Sequence, residues 1–325
     1  MALPPAACVA SALSARQSLI ADTSSNAYRL FNGEADGTAG LVIERLGDVL
    51  IVQLHEGRLK LDLNTVERIV RELHEQLGTR AVYQKVFPRD RACAKAGIAD
   101  MHKSAEPWMG EPVEPEQVIT ENDLRFIVRP YDGFSYGLFL EHRNNRRRVR
   151  ELAAGRRVLN AFSYTCGFSV AAAAGGAVTV ASLDMFKRYL EWGKLNFAVN
   201  QIDLEAHRFF CSDVFDFYKR AQRQNRRFDL IVLDPPTFSR GCRTKDTFVL
   251  EKELEPLCAG AFGLLDAGGL IFLATNDRRI SRVRLEEAMM AATSERRCTI
   301  LERPSLPVDF ACDPGYSKAI WAHVD

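Results

Sequence analysis

The chain has 325 residues, 47% of them hydrophobic and 26% charged, which leaves room for two domains and excludes a disordered chain or a low-complexity fibre. Lysine plus arginine total 43 against 42 for aspartate plus glutamate, so a net charge of +1 gives no overall pull on polyanions; a nucleic-acid site must come from local clustering. No apolar run reaches the roughly 18 residues of a membrane span, so no membrane partner is expected. The eight cysteines form no CxxC, and His55, His74, His102, His207 and His323 show no ligand spacing, so no metal is expected. Scattered cysteines and a Met1-Ala2-Leu3-Pro4-Pro5 start without basic residues make the cytoplasm the expected location, with no secretory leader.

In chain order, residues 11–21 are expected to form a short helix. Strands follow at 28–31, 40–45 and 49–54, separated by Gly/Asn/Asp turns. The spacing of Val66, Ile69, Val70, Leu73 and Leu77 predicts a helix over 62–77, stopped by Gly78. A strand is expected at 81–85, and the proline-rich stretch 104–118 reads as a linker. The expected division is therefore an N-terminal α+β domain over 1–118 and a second domain over 119–325. After a strand at 124–128, apolar strands (158–162, 178–183, 207–211, 228–233, 270–275) alternate with helices (168–174, 186–200, 213–224, 247–265, 283–293), and strands at 298–302 and 318–324 close the chain. That alternation predicts an α/β, Rossmann-like doubly wound parallel sheet.

In such sheets the ligand lies beyond the carboxyl ends of the strands, at the point where strand order reverses. The first strand is followed by Ser163-Tyr164-Thr165-Cys166-Gly167, small and hydroxyl residues that bring backbone N–H groups near a charged ligand end. Asp184-Met185 follows the second strand, where a carboxylate can accept from ribose hydroxyls. Asp213-Val214 follows the third, placed for an adenine amino group, although a strand-end aspartate is also an ordinary helix cap. Asp234-Pro235-Pro236-Thr237-Phe238 follows the fourth as a ring-stiffened shelf for a planar base, with Phe238 free to stack. Each feature alone is weak, but their order at successive strand tips points to a nucleoside-containing cofactor. A dinucleotide would need more than the single Gly167, which leaves S-adenosylmethionine as the better fit.

Asn160-Ala161-Phe162-Ser163-Tyr164-Thr165 and Asp234-Pro235-Pro236-Thr237-Phe238-Ser239 resemble the class I S-adenosylmethionine-dependent RNA methyltransferases. More narrowly, the resemblance is to the group of ribosomal RNA large-subunit methyltransferases I and K/L. Gly137-Leu138-Phe139-Leu140-Glu141-His142-Arg143 matches that group's lead-in to the methyltransferase domain, and Tyr189-Leu190-Glu191-Trp192 with the Asp234-Pro235-Pro236-Thr237-Phe238-Ser239 form is most similar to the K half. Gly33-Glu34-Ala35-Asp36-Gly37, Leu306-Pro307-Val308 and Pro314-Gly315-Tyr316 also fit the group. The resemblance implies a methyltransferase with S-adenosylmethionine held by Phe139, Arg143, Asn160, Phe162 and the strand-tip residues 163–167, 184–185, 213–214 and 234. It implies a base positioned by Asp234, Pro235, Pro236 and Phe238, and 23S ribosomal RNA as the partner. It further makes the first domain an RNA-gripping module of the I type's central kind.

Three departures bear on mechanism. The I type carries a further N-terminal RNA-binding module, for which this sequence has few residues. The family has glycine where this chain has Cys166, a costly exchange if φ there is positive. The I type makes 5-methylcytosine with a cysteine after the fifth strand, where this chain has Ala274-Thr275-Asn276-Asp277-Arg278. Cytosine C5 needs a thiolate adding at C6, whereas guanine N7 already offers a lone pair, so guanine N7 is the favoured atom. Cys242 reads as a loop cysteine without a role, and adenine N6 is disfavoured because Thr237 displaces the aromatic that should follow the prolines. Arg146 and Arg147 on a predicted helix, Arg240, Arg243 and Lys245 after the shelf, and Arg278 after the fifth strand are the candidate phosphate contacts. A non-RNA methyltransferase, a cytosine-5 enzyme and a catalytically silent RNA-binding homologue stay open, as does a homodimer.

Overall fold

The computed structural model describes residues 5–89, 102–240, 247–293 and 296–325. They form two compact units, Met1–Leu140 with Pro307–Asp313, and Glu141–Leu306 with Pro314–Asp325.

In the first unit, α1 (Pro5–Ala15) and α2 (Gln17–Ala21) precede β1 (Ala27–Asn32), β2 (Leu41–Leu46) and β3 (Val49–His55). The expected single helix starts earlier and breaks at Arg16, whose buried guanidinium turns inward to hold both carboxylate oxygens of Asp36 at 2.6 Å. Helix α3 (Leu63–Leu77) then crosses to β4 (Ala81–Phe87), which runs parallel to β3. Asp62 caps α3 by accepting from Thr65 N (2.9 Å), and Gly78 ends it at φ +59°, as the spacing predicts. The apolar side of α3 (Val66, Ile69, Val70, Leu73) and Val9 of α1 bury the sheet's apolar residues.

β5 (Met109–Gly110) adds a short antiparallel edge, and β6 (Gln117–Glu121) and β7 (Leu124–Val128) form a separate hairpin. Its turn residues, Asn122 and Asp123, take positive φ (48° and 64°). The first unit reaches Leu140 rather than stopping at 118 because Asn26 exchanges hydrogen bonds with Thr120 in this hairpin (2.9 and 2.8 Å).

The 307–313 segment also belongs to this unit. Asp309 accepts from Arg29 N (2.9 Å), and the Arg29 guanidinium lies 4.2 Å from the centre of the fully buried Phe310 ring. Phe310→Ala is accordingly expected to cost about 3–5 kcal/mol of first-unit stability, read from urea unfolding, even though the residue lies near the end of the chain.

The second unit opens with α4 (Arg143–Leu152) and then alternates. β8 (Arg157–Ala161), α5 (Gly167–Ala174), β9 (Thr179–Asp184), α6 (Lys187–Val199), β10 (Arg208–Cys211), α7 (Val214–Arg223) and β11 (Phe228–Leu233) follow in turn. Instead of a helix from 247, the chain forms a small antiparallel hairpin of β12 (Phe238–Arg240) and β13 (Thr247–Val249). Pairing with β12 keeps β13 extended, so α8 starts only at Leu250 and runs to Phe262. β14 (Leu265–Thr275), α9 (Arg282–Ala291), β15 (Cys298–Glu302) and β16 (Lys318–Val324) complete the unit.

The sheet order is β10-β9-β8-β11-β14-β16-β15. The first five strands are mutually parallel, and β16 runs antiparallel to both of its neighbours. One apolar cluster packs α7, α8 and α9 on one face; a second packs α4 and α5 on the other. Both faces are covered, which is why β8, β11 and β14 read as nearly unbroken apolar runs.

Candidate active site

Chain order reverses between β8 and β11, adjacent strands that end in register at Ala161 and Leu233. The connections leaving them diverge and open a crevice at the carboxyl edge of the sheet.

The loop after β8 is conformationally unusual. Phe162, Tyr164 and Cys166 all sit in the left-handed region, at φ +60°, +47° and +65°. Each costs a non-glycine residue about 1 kcal/mol or more and persists only where its surroundings dictate it. Here they do. Ser163 N donates to Leu183 O (2.8 Å), Cys166 N to Ser163 O (2.7 Å) and Asn196 Nδ2 to Thr165 O (2.8 Å). The Tyr164 ring meets Tyr189 edge-on at 4.5 Å. Position 166 therefore does require the φ that glycine supplies at no cost, and cysteine occupies it. Gly167 follows as the first residue of α5.

Asp184, at the tip of β9, is tied to this loop. Its Oδ2 accepts from Tyr164 N (2.8 Å) and its Oδ1 from Phe186 N (2.9 Å). Burial pushes its carboxyl above the usual carboxylate range, more than those N–H groups pull it back. The neighbouring Met185 is half-buried, and its carbonyl accepts from the Cys211 thiol (3.3 Å).

Asp213 caps α7, Oδ1 accepting from Phe215 N (2.8 Å) and Asp216 N (3.3 Å); Val214 behind it is buried. The ordinary capping role is thus real, and it is carried by one oxygen. Asp213→Ala is expected to cost about 1 kcal/mol in thermal or urea unfolding, and Asp213→Asn, an equally good cap, almost nothing.

Asn160 is buried in β8, and its Nδ2 donates to Ser169 Oγ (2.8 Å), which also accepts from Ser182 Oγ (2.8 Å). Its Oδ1 is buried with no donor among the described residues. An acceptor left in that state costs about 1–3 kcal/mol until a ligand or water donates to it.

Across the crevice, Pro235 is buried, Pro236 exposed and Phe238 53% exposed, so the turn offers an apolar ledge with an accessible ring. Thr237 Oγ1 donates to Asn276 Oδ1 (3.4 Å), joining the shelf to the tip of β14. Asp234 pairs with His142 Nε2 at 3.4 Å. His142 is buried, with Nδ1 3.1 Å from Asn145 Nδ2 and its ring against Phe168 (5.4 Å) and Phe272 (6.2 Å). Burial pulls its pKa down, but the charge and hydrogen bond of Asp234, helped by Glu141, win and leave it above the ordinary value.

Nothing local in the sequence marks His142: it lies in the Gly137–Arg143 motif, its partner Asp234 is remote in the chain, and no periodicity links the two.

The arginines divide. Arg143 and Arg146 are buried, Arg146 with its guanidinium 5.8 Å from the centre of the Phe168 ring, so Arg146 is not the exposed phosphate contact that the basic run suggests. Arg147 is exposed, with a loose 4.0 Å approach to Glu151 that leaves it available to a phosphate. Arg278 is exposed, whereas Arg279 is pinned to Asp277 (2.8 Å) and holds that carboxyl below the usual range. Arg243 and Lys245 lie outside the described residues, as do Cys242 and the side chain of Arg240. Phe139 is 41% exposed near the end of the first unit. Among the described residues no cluster of three or more His, Cys, Asp or Glu could hold a metal, and no helix is long and apolar enough to cross a membrane.

A sheet that reverses between a constrained small-residue loop and a proline-stiffened shelf, with aspartates at the two adjoining strand tips, defines a nucleoside-cofactor transferase of the class I methyltransferase form. The chain belongs to the S-adenosylmethionine-dependent methyltransferase family, which it matches over residues 29–320, and S-adenosylmethionine is its cofactor. It is 44% identical over 161 residues to ribosomal RNA large subunit methyltransferase K of Neisseria meningitidis, covering 50% of this chain and 46% of that one. It is 33% identical over 306 residues to a ribosomal RNA large subunit methyltransferase of Deinococcus radiodurans, covering 92% of this chain and 72% of that one. The chain thus spans about half the length of the first relative and nearly three quarters of the second. Among solved structures, a methyltransferase complexed with SAH superposes with a TM-score of 0.87 at 27% identity, over 99% of this chain and 82% of that one.

The residues present fit the cofactor. The orphaned Asn160 Oδ1 suits a ligand rich in N–H and O–H donors, and the carboxylate of Asp184 suits ribose hydroxyls.

Proposed function

We propose that the protein methylates a base of 23S ribosomal RNA in the cytoplasm, with guanine N7 as the acceptor atom. The cofactor, when bound, supplies an electrophilic methyl group on a sulfonium. The rest is positioning by the chain itself. Asp184 orients the ribose, Asp213 faces the adenine, and residues 162–167 with Asn160 hold the methionine end. Pro235, Pro236 and Phe238 seat the base, and Asp234, held by His142, fixes its edge. Arg147, Arg240, Arg243, Lys245 and Arg278 take the phosphates, and the first unit grips the RNA.

The observation that favours guanine N7 is Asn276 at the tip of β14, bonded to Thr237 of the shelf. Cytosine C5 chemistry needs a thiolate there, and an amide cannot add to C6. Cys166 and Cys258 are buried thiols whose pKa burial pushes up to about 12, unsuited to attack at neutral pH. An in-plane lone pair such as guanine N7 needs only alignment with the methyl group, which positioning alone supplies. The relatives named as ribosomal RNA large subunit methyltransferases favour the RNA substrate.

The test is mass spectrometry of nucleosides from the ribosomal RNA of a strain lacking the gene. Loss of 7-methylguanosine is the expected result. Loss of 5-methylcytidine would overturn the assignment and promote Cys242, and loss of 6-methyladenosine would move it to an exocyclic amine. Unchanged ribosomal RNA together with turnover on another substrate would overturn the RNA reading itself.

A further inference from the structure

Position 166 and position 193 hold residues that their backbones disfavour. Cys166 is fully buried at φ +65°, where glycine would be unstrained. Gly193 lies inside α6, where alanine would be the better helix former. The two are in contact. A Cβ placed on Gly193 would lie 2.3 Å from Cys166 Sγ and 2.8 Å from its Cβ, so the thiol occupies the space that a side chain on α6 would take. Cys166 Sγ also lies 3.8 Å from Ser163 Oγ and 3.9 Å from Tyr164 O, both in the left-handed loop. Three residues along α6 from Gly193, Asn196 donates to Thr165 O. Swapping the pair for glycine at 166 and alanine at 193 would suit both backbones, so backbone preference does not account for the arrangement.

We propose that Cys166 is a positioning residue for the cofactor: its thiol, wedged against Gly193 and bonded to Ser163, clamps residues 162–166 to α6 and holds the loop in the shape that receives the methionine end. The inference rests on the reading of 162–167 as part of the cofactor site, and it concerns binding rather than chemistry, since a buried thiol without a base takes no part in methyl transfer.

The test uses the full-length protein, calorimetric titration with S-adenosylhomocysteine, and thermal unfolding of the ligand-free protein. Cys166→Gly/Gly193→Ala is expected to melt within a few degrees of wild type, because relief of both backbone conflicts offsets loss of the buried thiol. Its affinity for S-adenosylhomocysteine is expected to fall at least about tenfold, because the loop has lost its clamp, while Cys166→Ser keeps affinity within about threefold because a side chain still fills the space beside Gly193. Gly193→Ala alone should lose both stability and affinity through collision with the thiol; if it does not fold, the double variant carries the test. Wild-type affinity in the double variant overturns the proposal, and so does a Cys166→Ser loss as large as that of the double variant. No binding heat from wild type would overturn the cofactor-loop reading as well, and so separates the two failures.

Discussion

Asp234→Ala is expected to lower kcat on ribosomal RNA by about 10²–10³-fold, the scale seen when one preorganised polar group is removed from a reaction centre. The loss should exceed any loss of affinity for S-adenosylhomocysteine. The reason is placement. Asp234 is the first residue after β11, at the reversal of strand order, with its side chain 22% exposed. Rigid prolines follow it, and His142 holds it from behind at 3.4 Å. Alanine keeps the turn and removes its carboxylate, the group proposed to fix the base edge. Single-turnover methylation of ribosomal RNA fragments, set beside calorimetry, separates the two effects. Equal losses in turnover and cofactor affinity would reassign Asp234 to the cofactor alone.

The second large effect concerns pH. In the folded state the His142 pKa is raised above its ordinary 6.5, because the Asp234 charge outweighs burial. A raised histidine stabilises fully below its unfolded value and loses that contribution as pH climbs through the folded one. The stability margin of wild type over His142→Gln, measured by urea unfolding, should therefore be widest below about pH 6.5 and narrow as pH rises. Turnover should follow. Once His142 is neutral, Asp234 is held less firmly, so wild-type kcat should decline on the alkaline side with an apparent pKa above 6.5, and His142→Gln should lack that limb. A margin that stayed flat or widened with pH would show that the pair is not ionic.

Much of the architecture was legible in the linear chain because its causes are local. Helical spacing from Val66 to Leu77 and the glycine at 78 act within a turn or two, and they placed α3 and its left-handed cap. The β8–β14 alternation, with unbroken apolar strands, predicted a sheet covered on both faces. Topology then put Ser163–Gly167, Asp184, Asp213 and Asp234 at successive strand tips, as their order in the chain predicted. Local rules also carried their own ambiguity. The strand-end aspartate at 213 is a cap by direct geometry, and the same residue type at 184 is not.

What the chain order could not reveal depends on contacts between distant segments. Residues 307–313 return to the first unit because Phe310 and Asp309 satisfy Arg29, which no pattern around 307 announces. Thr247–Val249 is a strand only because Phe238–Arg240 lies opposite it. Arg146 belongs to an exposed-looking basic run, yet the Phe168 ring draws it inside. His142 gains its partner, and with it its elevated pKa, when β8 and β11 become neighbours and bring Asp234 to α4. Sequence by itself determined the class of fold, the family and the order of the polar residues at the strand tips, because periodicity and strand-end chemistry are written in short stretches. Tertiary structure alone decided which side chains are buried and paired, because burial and charge pairing are set by neighbours that the chain supplies from far away.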